Sequence, residues 1–549
     1  MEDRSGERSL QPLKIKNNSR NDLLNERSVR STSKVTGHSW LTSSSSLFDP
    51  MPTNTISETT KQTSKYDWRI HSLMVCRHII TRGLEEGVGS DITIYAFDRP
   101  YHLHRLILDQ NPYFKLLLAG GFQESESNQV TLHLEDHPLI NADSFWFVLE
   151  YLYGKIEEPF INSENVKQIL ATCSYFQLGD VSGLCLEFIL KDLNPKNVVD
   201  YLLFAEEHMG KGADRISDAA FIYLCREAYG MAFGTEKNLL LHLPLSWLEK
   251  IVESDAFWVP SEYERYQFVL QIIQSQYHSS SLDYLDDYCH VLYRSIHYMY
   301  MTFEQLQEIE NDIHPVTKKN LVPGSILKKA LWLQIQLRTK IEASNEKDTK
   351  IYTTIRSLTK KTTAGDFEEE EEEEEKETHH YPIPTDDTTT YTGEPSISLT
   401  SSKKVNQITS KAEEYSIYPP FRFSIEFADV TTLKHNMRIY SESVFYAGSN
   451  WNMYIQKTRS QRKGVLQLGV YLHRQSIPEN EDAPKSRSFS YYSDNRKVAK
   501  TWFKIFCPSR GPKHTLTLFQ SSPDNFSVLQ SWGWRSTTLC AEENALNDQ

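Results

Sequence analysis

Residues 91–134 read DITIYAFDRPYHLHRLILDQNPYFKLLLAGGFQESESNQVTLHL. Ile92, Ile94 and Ala96 alternate, which places them on one face of a strand, and Val130, Leu132 and Leu134 repeat that pattern. Asp98-Arg99-Pro100 predicts a turn at the end of the first strand. Asn111 is a good N-cap and Pro112 a good first helical residue, so a helix carrying Tyr113, Phe114, Leu117 and Leu118 starts there. Gly120-Gly121 stops it. Two helices therefore lie between two strands. The segment holds no pattern of a catalytic centre and instead builds a surface for contact.

Outward from this segment the chain changes character several times. Residues 1–64 are rich in Ser, Thr, Asn, Arg and Lys, show no sustained apolar period and are expected to be disordered. Within them, Arg27-Ser28-Val29-Arg30-Ser31 has the form of a site for a basic-directed kinase, although any solvated Ser/Arg tail offers such matches. Globular composition begins near Tyr66, with a lead-in helix around 69–82. After the second strand, Phe145, Val148, Leu149 and Leu152 mark an amphipathic helix that Tyr153-Gly154 stops. Residues 65–158 thus form one α+β unit.

Residues 159–345 read as all-α. Two amphipathic stretches break at Gly179-Asp180, Asn194-Pro195-Lys196-Asn197 opens another, and helical patterns recur at 215–229, 245–253, 261–277, 302–312 and 324–340. Ser261 before Glu262 reads as an N-cap followed by an acidic first turn. Residues 346–415 read as a disordered acidic linker. The eight consecutive glutamates Glu368–Glu375 repel one another and cannot be buried. That repulsion would stretch the linker and hold the last domain away from the helices. Short alternating strands then return over 416–540: FRFSIEF from Phe421, NWNMYIQ from Asn450, VLQLGVYLHR, KTWFKIFCP and His514–Phe519. Their number and spacing predict an antiparallel β-sandwich.

Composition narrows the function classes. Net charge is −14, which disfavours a general binder of nucleic acid or anionic membrane. A hydrophobic content of 39% and a mean hydropathy of −0.51 fit a chain that is only partly folded. No apolar run approaches the roughly 20 residues of a membrane helix, and the first residues have no signal-peptide core. The seven cysteines have no CxxC pair, so buried thiols in a reducing compartment, cytoplasm or nucleus, are expected. Asn17-Asn18-Ser19 and Asn525-Phe526-Ser527 match the glycosylation pattern, which in such a compartment is chance. No phosphate-binding loop, HExxH, GxSxG or GxGxxG is present, and no cofactor is expected. His102-x-His104 lacks the further ligands that a metal would need.

The residues Ser90-Asp91-Ile92, His104-Arg105-Leu106-Ile107-Leu108, Asn111-Pro112-Tyr113-Phe114 and Gly121-Phe122-Gln123-Glu124-Ser125, in this order and spacing, resemble the BTB/POZ domain. That resemblance implies association through proteins: homodimerisation and, in many members, binding to cullin-3. It also implies that Asp91, His104 and Arg105 form the charged pocket of the dimer. There a carboxylate and a guanidinium can pair through two hydrogen bonds. Phe122, Gln123 and Glu124 match the hydrophobic–x–acidic loop of cullin-3-binding members. An exposed aromatic would fill a pocket on the partner and the carboxylate would orient it; the plain alternative is Phe122 packing on the helix end.

The stretch Leu243-Pro244-Leu245-Ser246-Trp247-Leu248-Glu249-Lys250-Ile251-Val252 resembles the BACK domain that follows BTB in cullin adaptors. Tyr446-Ala447-Gly448-Ser449-Asn450-Trp451, with Trp532-Gly533-Trp534, resembles the TRAF-like (MATH) pattern, and the region is also similar to the C-terminal part of fungal BTB proteins. Kelch blades are absent. Together these resemblances imply a substrate adaptor of a cullin-3 RING ubiquitin ligase that does no chemistry itself and holds a protein substrate on its C-terminal domain. A BTB scaffold that oligomerises without a ligase is the alternative. No residue of a substrate groove is readable.

Overall fold

The computed structural model describes residues 68–119, 127–212, 214–276, 285–314, 318–348, 353–355, 381–392, 414–428, 430–459, 466–475, 492–508 and 514–536. The sequence readings of the N-terminal tail, Phe122-Gln123-Glu124, Glu368–Glu375 and Cys540 lie outside these residues.

Helix α1 (Trp68–His78) runs into a π-helical segment, Ile79–Glu85. Strands β1 (Ile92–Ala96) and β2 (Arg99–Leu103) form a hairpin, and β3 (Gln129–Thr131) pairs parallel to β1. Ile92, Ile94, Ala96, Val130, Leu132 and Leu134 are all buried, as their alternation predicts. The turn falls one residue earlier than the sequence suggests. Phe97 and Asp98 make it, both at positive φ (52° and 56°), while Arg99 and Pro100 already lie on β2. Two successive positive φ values give the twist that a two-residue hairpin needs. The Phe97 amide donates to Glu135 Oε1 at 2.9 Å and helps to hold it.

Helices α2 (Arg105–Leu108) and α3 (Pro112–Ala119) follow. Asn111 caps α3, its Oδ1 accepting from the Phe114 amide at 3.2 Å. Its Nδ2 donates to the Phe176 carbonyl at 2.8 Å, 65 residues on. Helix α4 (Ala142–Leu152) starts with a reciprocal Asn141–Ser144 capping box and buries Phe145, Val148, Leu149 and Leu152.

Helices α5 (Val166–Tyr175), α6 (Gly179–Asp192), α7 (Val198–His208), α8 (Asp214–Ala232), α9 (Leu245–Glu253), α10 (Glu262–Gln276), α11 (Leu285–Ser295), α12 (Phe303–Asn311) and α13 (Gly324–Glu342) continue the chain. One local device recurs at two helix starts. The Asn162 amide donates to Asn165 Oδ1 before α5, and the Asn194 amide to Asn197 Oδ1 before α7. Phe176 joins the two halves. It stacks on Phe114 with ring centroids 5.4 Å apart and lies equally close to Phe145. A single buried cluster therefore runs from β1 through α13.

The C-terminal region is strand-rich and antiparallel. Strand β4 (Thr353–Ile355) and β5 (Tyr381–Pro382) flank β7 (Glu414–Ser416). Strand β6 (Thr388–Thr392) pairs with β14 (Leu516–Gln520), which pairs with β13 (Lys504–Pro508). A five-stranded sheet holds β8 (Arg438–Tyr440), β9 (Val444–Tyr446), β10 (Ser449–Arg459), β11 (Leu466–Arg474) and β16 (Ser531–Ser536). Strand β12 (Val498–Thr501) pairs with β15 (Asp524–Ser527). Ile455, Leu468 and Val470 of one sheet cluster with Ile505 of another.

Three expectations change here. Strands β4 to β7 take residues from the stretch read as linker, because Thr388–Thr392 completes the edge of a sheet whose other strands come more than a hundred residues later. KTWFKIFCP is two strands in different sheets, broken at Trp502-Phe503. FRFSIEF is extended but joins no ladder, and it lies against the helices instead of being held away from them.

Candidate interaction surfaces

The residues of the expected charged pocket come together, but with other bonds. Asp91 Oδ1 accepts from the Arg105 backbone amide at 2.8 Å, capping α2, a short helix whose own N-cap, His104, makes no side-chain cap. Arg105 Nη2 donates to the Ser127 carbonyl at 2.6 Å. No ion pair joins the Asp91 and Arg105 side chains among the described residues. A carboxylate that satisfies a helix amide has a partner that is fixed by the backbone, whereas the guanidinium can reach further.

His104 is the hub. Nδ1 lies 2.9 Å from the Tyr153 hydroxyl and Nε2 3.1 Å from the Val88 carbonyl, and the His104 amide donates to the same hydroxyl at 3.0 Å. A carbonyl only accepts, so Nε2 carries the proton and Nδ1 accepts from Tyr153. Burial pushes the Tyr153 phenol up to about 12, which keeps it a neutral donor. These bonds anchor the end of β2 to α4 and make the pocket a structural joint. His102, by contrast, faces Thr93 Oγ1 across the hairpin at 3.1 Å. Among the described residues no group of three metal-ligating side chains is placed to hold an ion.

The sequence reading missed an apolar surface on α1. Ile70, Leu73, Met74 and Val75 are exposed, Met74 by 65%. Leu106 on α2 is 84% exposed. Contiguous exposed apolar side chains on one helix mark an association surface. The signal was present: Ile70, Leu73, Met74 and Val75 fall within six residues of a stretch, RIHSLMVCRH, whose other positions are mostly Arg and His.

A second missed feature joins the helices to the strands. Glu262, in the acidic first turn of α10, is only 2% exposed. Arg422, from FRFSIEF, grips it with Nε at 2.7 Å and Nη2 at 2.9 Å, and also donates to the Ser295 and Glu253 carbonyls. The His297 amide donates to Glu262 Oε2 at 2.9 Å, while its ring Nδ1 lies 3.0 Å from the Pro420 carbonyl. Burial alone would raise the Glu262 carboxyl, but Arg422, His297 and Arg265 outweigh it and hold it down to about 2. Burial and the neighbouring Arg422 push His297 down to about 4. A further contact lies at the other end, where His514 Nε2 meets the Leu190 carbonyl at 2.8 Å. The six described cysteines are free thiols. No helix among the described residues is long and apolar enough to cross a membrane.

A mixed three-stranded sheet, two helices docked behind it by an Asn-Pro cap, and a fourth helix closed by His104–Tyr153 are the parts of one known family. The model of the BTB/POZ domain matches residues 82–193. The chain carries a BTB/POZ domain. The match runs past residue 158, where the sequence reading closed the unit, through α5 and α6, in keeping with Phe176 sitting in the BTB core. Among curated proteins the chain is 28% identical over 197 residues to human Kelch-like protein 17, covering 36% of this chain and 28% of the relative. It is 25% identical over 246 residues to Kelch-like protein 25 of Xenopus laevis, covering 45% and 39%. It is 23% identical over 197 residues to the protein germ cell-less of Drosophila melanogaster, covering 35% and 33%. The chain thus spans well under half the length of these relatives.

Proposed function

We propose that this protein is a substrate-recognition adaptor of a cullin-3 RING ubiquitin ligase. The observation that carries the reading is the BTB/POZ domain followed without a break by a helical region, the order in which the sequence placed BTB and BACK-like segments. Phe122 and Glu124 would grip cullin-3, with Gln123 between them. The exposed α1 face, with Ile70 and Met74, would pack on a second copy, and the Asp91–His104–Arg105 joint would keep that face in shape. Helices α7–α13 act as the BACK-like spacer, and the TRAF-like strand region receives the protein substrate. Two copies double each contact and raise the effective concentration of substrate beside the ligase. The chain itself does no chemistry and acts in the cytoplasm or nucleus.

The test is retention of purified cullin-3 by the full chain. Wild type should retain it, while Phe122→Ala and Glu124→Ala should lose most of it, because a central interface aromatic contributes about 2 kcal/mol or more. Equal retention by both variants, or none by wild type, ends the adaptor reading. The exposed α1 face would then support the oligomeric scaffold, which needs that surface and no cullin.

A further inference from the structure

The chain is acidic overall, yet residues 313–341 carry Lys318, Lys319, Lys328, Lys329, Arg338 and Lys340 and no Asp or Glu. Most of this stretch is α13. Leu327, Ala330, Leu337 and Ile341 are its buried side. Lys328, Trp332, Ile335 and Thr339 follow at helical spacing on the opposite face and form one stripe. Trp332 is 66% exposed and Ile335 57%. Neither the Lys328 nor the Lys329 ammonium forms an ion pair or hydrogen bond among the described residues. The neighbouring α12 carries Glu304, Glu308 and Glu310, none of which pairs with either lysine there.

An exposed aromatic beside unpaired cations suits an occupant that joins negative charge to an apolar group. The chain holds such a segment, Asp366-Phe367 followed by the eight glutamates 368–375. The tether puts it in reach. Residues 356–380 connect β4 to β5, and the Tyr381 ring at the start of β5 lies edge-on to His297, with centroids 5.8 Å apart. Two residues after His297, the Met299 carbonyl accepts from Gln334 Nε2 at 3.0 Å, and the Met301 carbonyl accepts from the same nitrogen at 2.7 Å. Strand β5 therefore starts beside the segment that the middle of α13 grips. Glu375 precedes Tyr381 by six residues, roughly 20 Å of extended chain, and Glu368 precedes it by thirteen, roughly 45 Å. Lys328 is six residues from Gln334, about 9 Å along the helix. The run is long enough to lie along the stripe. Nucleic acid or an anionic membrane would meet the net charge of −14 as well as these few cations, so the tethered glutamates are the better match.

We propose that the acidic run 368–375 docks on the outer face of α13 in the same chain, with glutamates toward Lys328 and Lys329 and Phe367 against Trp332 and Ile335. The contact needs neither a second copy nor a cullin, so it stands apart from the adaptor reading.

The test is carbodiimide crosslinking of the full chain, which joins a carboxylate only to an ammonium that it touches, read by mass spectrometry. Mixing isotope-labelled with unlabelled chain separates links within one copy from links between two. Lys328 and Lys329 should link to the run within one copy, and high salt should remove most of these links. A labelled peptide of residues 364–378 is then titrated by fluorescence polarisation. The variant with all eight glutamates 368–375 replaced by glutamine should bind it with a Kd below about 100 µM. Wild type should bind it about tenfold more weakly, because its own run competes at an effective concentration of about 1 mM. Lys328→Glu, Lys329→Glu and Trp332→Ala, all at exposed positions, should abolish peptide binding when added to the glutamine variant, with the melting transition retained. Equal binding by wild type and the glutamine variant overturns the proposal, as does no saturable binding by either. So do links found only between copies, links of the run to lysines of the strand region in preference to these two, or a glutamine variant that prefers phosphatidylserine vesicles to the peptide.

Discussion

Arg422→Met tests the joint between helices and strands most directly. The substitution keeps most of the aliphatic stem and removes the charge that is bonded twice to Glu262. What remains is a buried carboxylate with Arg265 Nε at 3.7 Å and the His297 amide. Holding a carboxyl at about 2 instead of its ordinary 4.5, against a burial that would raise it, corresponds to roughly 3 kcal/mol of preference for the ionised form, with Arg422 the foremost of the groups that lower it. Breaking a buried pair by removing one partner costs about 3–5 kcal/mol, so the expected loss is about 3–4 kcal/mol. Glu262→Gln should cost a similar amount, since it leaves Arg422 and Arg265 facing each other as buried cations. The double variant should recover at least about 2 kcal/mol relative to the sum of the singles, because neither member of the Arg422–Glu262 pair then stands alone and Arg265 keeps the Val252 and Ser254 carbonyls. Several regions can unfold separately in this chain, so the readout is a urea titration followed by hydrogen exchange in peptides covering 255–268 and 417–427. Additivity of the two substitutions within about 0.5 kcal/mol would refute the reasoning, for the pair would then not be what holds these segments together.

His297 should make the same joint acid-sensitive. Its folded value of about 4 lies below the ordinary 6.5, so between these values the unfolded chain binds a proton that the folded chain refuses. Stability is full above about 6.5 and falls as pH drops toward 4, by about 2 kcal/mol at pH 5; urea midpoints at pH 7 and pH 5 should show it, and His297→Asn should flatten the difference. Gly448→Ala should cost about 2–3 kcal/mol by thermal melting, because Gly448 sits at φ +76° and an added Cβ would lie 2.7 Å from the Asp494 amide nitrogen. Phe114→Ala should cost about 3–5 kcal/mol, since the ring is fully buried against Phe176. Met74→Asp should turn a dimer into a monomer in sedimentation without moving the melting transition, because Met74 is 65% exposed in the single chain; an unchanged dimer would place the contact elsewhere.

Local signals read well wherever a residue's role is set by its neighbours in the chain. Asn111-Pro112 started α3, Phe145 to Leu152 formed the buried stripe of α4, and Leu245–Glu253 was bounded to the residue, since capping and helical periodicity act within a turn or two. Reading failed where a partner comes from far away. Thr388–Thr392 looked like part of a polar spacer, yet it pairs with β14. FRFSIEF alternates like a strand, and its even residues do face away from the sheet, but Arg422 uses that position to reach α10 and the ladder never forms. Asp91 and Arg105 were expected to meet by charge, and the nearer amide took the carboxylate.

The sequence by itself determined that this chain contains a BTB-type unit, a long helical region and a set of short antiparallel strands. The BTB-type unit rests on a resemblance carried by motif residues such as His104-Arg105-Leu106 and Asn111-Pro112, while the helices and strands follow from apolar period, caps and turn residues, all of which are local. Only the tertiary structure decided that these regions share one buried cluster and that Glu262 is an inter-segment anchor. Its reason is physical: burying a charge or leaving a strand edge free depends on what packs there, and Arg422 reaches Glu262 across 160 residues of chain that no periodicity connects.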